Sequence, residues 1–139
     1  MSVLVDTSIW SLAFRRRDFD EESEFVLELR ELIAEGNTIL IGPVRQEFLS
    51  GIKHSKQFQR LRDRLRAFPD VRIESTDYEH AAEHFTSCRR KGIQGSNTDF
   101  LICAIAERLR VAIFTSDEDF TNYSNLLPIR LHRSRFSEQ

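Results

Sequence analysis

Apolar residues along this chain fall into two kinds of pattern. Short, largely β-branched runs stand at residues 3–5, 38–41, 71–73 and 111–115, with a weaker one at 128–131. Each is too short for a typical helix and reads as a strand buried on both faces. Between them, apolar positions recur every three or four residues. Phe25, Leu29, Leu32 and Ile33 share one helical face, and Gly36 supplies a stop. Gly42-Pro43 opens a second helix running to about Ser50, since proline is tolerated in a first turn. Phe58, Leu61, Leu65 and Phe68 line a third, ended by Pro69. Ala81, Ala82, Phe85 and Cys88 mark a fourth, and Leu101, Ile102, Ile105, Ala106 and Leu109 a fifth. Trp10 and Phe14, one helical turn apart, read as core. Strands alternating with helices predict an α/β fold with a parallel sheet covered on both faces. In such sheets the ligand crevice lies outside the carboxyl ends of the strands.

Composition narrows the picture. With 139 residues, the chain fits one domain spanning 1–139. The 22 acidic and 20 Lys+Arg residues leave a formal net charge of -2, which argues against holding nucleic acid by bulk charge. The bases are 17 Arg and 3 Lys, and Arg is the residue whose planar fork suits phosphate and carboxylate. No run approaches the ~18 apolar residues that span a membrane. The start lacks a basic region before its apolar part, so a signal peptide is not expected. Cys88 and Cys103 read as buried free thiols of a reducing, cytoplasmic setting.

The carboxylates make the crevice rule informative. Asp6 directly follows the first strand, and Glu47 sits on the helix after the second. Asp117 follows the 111–115 run, with Asp119 two further on, and Asp99 opens the helix before that run. Each alone has an ordinary use. Asp6 or Ser8 would serve as an N-cap, Asp99 would complete a capping box with Ser96, Glu47 would complement a helix dipole, and Asp117 would cap a turn. Together, four converging carboxylates without cations would raise one another's pKa. A divalent cation with oxygen preference, Mg²⁺ or Mn²⁺, would resolve the repulsion.

The segments DTSIW at 6–10, PVRQEFLSG at 43–51, GxxxDxLICA at 95–104 and TSDEDF at 115–120 occur in that order. Their spacing resembles a PIN-domain nuclease and, more closely, the VapC-type toxins of bacterial and archaeal toxin–antitoxin pairs. The resemblance runs from residue 3 to about residue 131. It implies a three-layer α/β/α sandwich with a mostly parallel five-stranded sheet. It also implies metal-dependent endonucleolytic cleavage of RNA. Its acidic quartet falls on Asp6, Glu47, Asp99 and Asp117, with Asp119 peripheral. Thr7 and Thr115 match its hydroxyl positions and would orient the carboxylates. The metal, held by Asp6, Asp99 and Asp117 with Glu47 as ligand or water-orienting group, would be Mg²⁺ or Mn²⁺. The implied partners are an RNA substrate, a cognate antitoxin and a second copy of the chain in a homodimer.

Arg15, Arg16, Arg17 and Arg45 are the candidate substrate contacts. Two rival readings stand beside the nuclease. His80-Ala81-Ala82-Glu83-His84 matches the HxxEH pattern of inverted zinc peptidases, with Cys88 one turn on. The other rival is a non-catalytic module whose acidic pocket captures an Arg-bearing peptide. Setting the four predicted ligands aside leaves a surplus of two bases, so the net charge reflects an acidic pit in a mildly basic surface.

Overall fold

The computed structural model describes residues 1–14 and 23–137. Among these the chain runs β1 (Val3–Val5), α1 (Thr7–Phe14), α2 (Glu24–Ala34), β2 (Thr38–Ile39), α3 (Gly42–Ser50) and α4 (Ser55–Leu65). It continues through α5 (Ser75–Arg90), α6 (Asn97–Leu109), β3 (Ala112–Phe114) and α7 (Asp119–Ser124). β1 is the middle strand, and all three of its residues are buried. β2 and β3 flank it in parallel, with Val3 opposite both Thr38 and Ala112. Burial on both faces is what an unalternating Val-Leu-Val run requires.

The sheet of the described residues has three strands, not the expected five. The two outer runs shrink to single parallel bridges, Leu40 to Asp70 on one edge and Ile113 to Leu131 on the other. The reason is local. Pro69 precedes the first bridge, and the Arg72 carbonyl is taken by the Arg108 guanidinium at 2.9 Å rather than by a strand. Pro128 precedes the second, and the Ile129 amide folds back to the Leu127 carbonyl. A short edge also offers little template for unwanted pairing.

Helices form where the pattern places them. Ser23 caps α2 by accepting from the Val26 amide at 3.3 Å, and Gly36 follows with φ of +70°. Pro43 stands in the first turn of α3. α6 is buried continuously from Phe100 to Ala106, as a helix apolar all round must be. α5 packs along α6, while α1 packs against α2 and α3. Trp10 is fully buried, stacked on Phe14 at 5.9 Å and edge-on to Phe68 at 5.3 Å. Both cysteines are free and buried. No helix among the described residues is long and apolar enough to cross a membrane.

Candidate metal centre

The carboxyl ends of β1 and β3 are joined by their own backbone. The Asp6 amide donates to the Phe114 carbonyl at 2.9 Å, which brings the residue after β1 beside the residue after β3. The Asp6 carboxylate, only 4% exposed, is held there by two hydroxyls. Ser8 Oγ and Thr115 Oγ1 both donate to Asp6 Oδ2 at 2.8 Å. Each hydroxyl in turn accepts a backbone amide at 3.0 Å, Ser8 from Ser116 and Thr115 from Asp117. The loop after β3 is thereby fastened to Asp6. Asp117 Oδ1 accepts from the Asp119 amide at 2.9 Å, which starts α7.

Asp99 reaches the same edge from the first turn of α6. Ser96 caps that helix by accepting from the Asp99 amide at 3.1 Å. The Asp99 carboxylate takes a different partner, the Tyr123 hydroxyl of α7, which donates to Oδ2 at 2.7 Å. Tyr123 is itself buried, and burial together with the adjacent Asp99 charge pushes its pKa up. The phenol therefore stays a donor.

Electrostatics mark Asp6 and Asp99 as unusual. Burial pushes the Asp6 pKa up, and the hydrogen bonds from Thr115 and Ser8 only partly oppose it. Burial also raises Asp99; the bonds from Tyr123 and Ser96 oppose this, while the charges of Asp6 and Asp117 add to it. Among the described residues no Lys, Arg or His forms an ion pair with Asp6, Asp99 or Asp117. Behind them, burial and then the Asp99 charge push the Cys103 thiol up, so it is an inert neighbour.

The other predicted residues fare differently. Glu47 is exposed on α3, and no hydrogen bond or ion pair among the described residues joins it to the three aspartates. Asp119 is exposed at the start of α7. Thr7 Oγ1 is buried with no hydrogen-bond partner among the described residues; its neighbour Ser8 is the one that donates to Asp6, beside Thr115. Arg45 is engaged within the fold. Its guanidinium donates to Asp70 at 3.0 Å, to the Leu65 carbonyl at 3.1 Å and to the Phe68 carbonyl at 2.5 Å, closing the end of α4. Arg15, Arg16 and Arg17 lie outside the described residues. Sequence reasoning missed Ser8 and Tyr123. Ser8 carried a signal, a second hydroxyl two residues from Asp6. Tyr123 carried none until α7 was placed beside α6.

Among the described residues no three His, Cys, Asp or Glu side chains close into a metal cage. For the 80–84 pattern this leaves the zinc peptidase without its ligand set, because zinc takes three or four protein ligands. His84 Nε2 lies 3.0 Å from Glu107 Oε2, with the His80 ring stacked beside it. For the carboxylate edge an open arrangement is the expected one. Mg²⁺ keeps several waters and takes one or two carboxylates plus substrate phosphate. Hard oxygen donors, excess negative charge and no cationic partner among the described residues fit such an ion.

A family model described as PIN domain matches residues 3–126. The chain belongs to the PIN domain family. Solved structures share the fold of this PIN domain over nearly their whole length. FitAcB from Neisseria gonorrhoeae is 18% identical with a TM-score of 0.73, over 94% of this chain and 96% of that one. VapBC2 from Rickettsia felis, bound to a DNA fragment from its promoter, is 21% identical with a TM-score of 0.72, over 95% and 98%. A toxin–antitoxin complex from Klebsiella pneumoniae is 22% identical with a TM-score of 0.61, over 94% and 100%. None of the curated proteins matches this sequence.

Proposed function

We propose that this PIN domain is a divalent-metal-dependent endoribonuclease and the toxin of a VapBC-like toxin–antitoxin pair. The observation that carries the reading is the trio Asp6, Asp99 and Asp117. It stands at the carboxyl edge of a parallel sheet, with raised pKa values at Asp6 and Asp99 and no cation paired with any of the three among the described residues. Family membership and fold relatives that include a toxin–antitoxin complex support it.

When bound, Mg²⁺ or Mn²⁺ supplies an activated water and charge neutralisation at the scissile phosphate. Asp6, Asp99 and Asp117 would hold it, with Glu47 joining from α3 as ligand or water-orienting group. The chain's own task is to keep those oxygens in place. Ser8 and Thr115 fix Asp6 through Oδ2, and the Ser116 and Asp117 amides fix those hydroxyls. No histidine or lysine is required as a base, because metal binding lowers the pKa of a bound water. The substrate is RNA, the partners are a cognate antitoxin and a second copy of the chain, and the setting is the cytoplasm.

The test is RNA cleavage by purified, antitoxin-free protein with Mg²⁺, Mn²⁺ or EDTA, beside Asp99→Asn. Outer-shell substitutions at metal sites cost roughly 10–100-fold, so loss of a ligand should cost at least about 100-fold. EDTA should abolish cleavage. Cleavage that survives both EDTA and Asp99→Asn would refute the proposal.

A further inference from the structure

An aspartate in the third position of a helix has a default use: its carboxylate folds back onto the amide of the N-cap residue. α5 follows that rule, for Asp77 Oδ2 accepts from the Glu74 amide at 2.8 Å. Asp99 holds the same position in α6, and the Ser96 side chain caps its amide, yet the reciprocal bond from the Ser96 amide does not form among the described residues. The Asp99 carboxylate is bonded by side chains, the Tyr123 hydroxyl at 2.7 Å and the Ser96 hydroxyl, in place of that amide.

The clearance for this bond is built into the chain. Gly95 lies directly over the phenol. A Cβ at that position would overlap Tyr123 Oη and stand 2.8 Å from Tyr123 Cζ and 3.0 Å from Phe100 Cε2. The Gln94 carbonyl lies 3.4 Å from the same hydroxyl, so the short bond is the one to Asp99. Phe120 at 5.1 Å and Phe100 at 5.0 Å hold the ring from two sides. Tyr123 sits on α7, the helix that begins just after Asp117. It therefore links the Asp99 carboxylate to the loop that carries the next carboxylate.

We infer that Tyr123 is a positioning residue, fixing the direction in which the Asp99 carboxylate faces Asp6 and Asp117, and that Gly95 is required to admit it. The inference rests on the proposed metal-binding reading of the three aspartates. Its function is orientation: one Asp99 oxygen is occupied by a rigid donor, which fixes the direction of the carboxylate. An outer-shell donor of this kind contributes to metal affinity without touching the metal.

The experiment is a Mn²⁺ titration of the full chain without RNA, followed by the electron paramagnetic resonance of free Mn²⁺, with thermal unfolding measured on the same samples. Tyr123→Phe removes one oxygen and keeps the ring. It should weaken Mn²⁺ binding roughly tenfold or more while the protein stays folded. Gly95→Ala should weaken it similarly by displacing the phenol, and should add less than about threefold to Tyr123→Phe if it acts through that residue. Folded Tyr123→Phe that binds Mn²⁺ within threefold of the unsubstituted protein overturns the role of Tyr123 alone. Unsubstituted protein that binds no Mn²⁺ overturns the metal reading as well.

Discussion

Asp77 and Asp99 each stand third in their helix, behind the caps Glu74 and Ser96, on two helices that pack along one another. Asp77 is 1% exposed and completely compensated: Arg108 donates from Nε to Oδ1 at 2.8 Å and from a terminal nitrogen to Oδ2 at 2.9 Å, and the Glu74 amide adds a third bond. Asp99 is partly buried, has only neutral hydroxyls, those of Tyr123 and Ser96, as its side-chain donors among the described residues, and faces two further carboxylates. Burial raises the pKa of Asp77, but Arg108 and the Glu74 amide outweigh it and leave the group below the usual range. Burial raises Asp99 and nothing outweighs it. The same residue at the same helical position is thus a structural tie in one case and a store of uncompensated charge in the other. What separates them is the presence of a cation, not the local sequence.

The largest test of this contrast compares neutral substitutions at the two positions. Asp77→Asn leaves Arg108 facing a neutral amide and should cost about 3 kcal/mol, the lower end for breaking a buried pair, because Arg108 is itself one-third exposed. Asp99→Asn removes repulsion and should leave stability unchanged or raise it by about 1 kcal/mol. Urea denaturation at neutral pH without metal measures both. Equal losses at the two sites would break the comparison.

The pH dependence should separate the same two groups. A depressed folded-state pKa gives stability that is present above the unfolded value, ~4 for a carboxylate, and is lost as pH falls through the folded value. Asp77 acts this way. Glu28 does too: burial raises it, but bonds from His132 and Arg135 outweigh that and leave it lowered. A raised folded-state pKa works in the opposite sense. Ionised Asp6 and Asp99 weigh against the fold above their folded values, and the penalty lifts as pH falls through them. Stability without metal should therefore rise as pH drops from neutral toward the carboxylate range, then fall below ~4. Asp99→Asn should flatten the upper limb and Asp77→Asn the lower. A monotonic fall from neutral pH in the unsubstituted protein would contradict the raised values at the site.

The three inner strands were legible because unbroken apolar runs admit few other uses, and the helices because their stripes repeat at the right interval. The two edge runs were over-read. Periodicity registers apolar character, not the proline that precedes each run or the guanidinium that occupies Arg72. Asp6, Asp99 and Asp117 were legible from their place after strands or at a helix start. The tie of Arg45 to the end of α4 was not legible from its nearness to Glu47 in sequence. Residues two apart on a helix point about 200° apart, so Arg45 turns to the end of α4 while Glu47 faces elsewhere. Glu28 went unnoticed on an apolar stripe, because its partners His132 and Arg135 lie about a hundred residues away and meet it only once the last segment has crossed the sheet edge.

The finest version of the contrast concerns adjacent hydroxyls. Thr7 and Ser8 both follow Asp6, but among the described residues the Thr7 hydroxyl has no partner, while Ser8 is a relay between Asp6 and the Ser116 amide. Ser8→Ala strands the Ser116 amide and removes one donor from a buried carboxylate, and should cost about 1 kcal/mol. Thr7→Val keeps the shape and removes a buried group that has no partner, so stability should hold or rise by a few tenths of a kcal/mol. Urea midpoints of the two variants decide the matter. A loss at Thr7→Val as large as at Ser8→Ala would mean that the Thr7 hydroxyl has a partner in solution and belongs with the groups that hold Asp6. The expected split instead places that task on Ser8 and Thr115, whose hydroxyls share one target, Asp6 Oδ2.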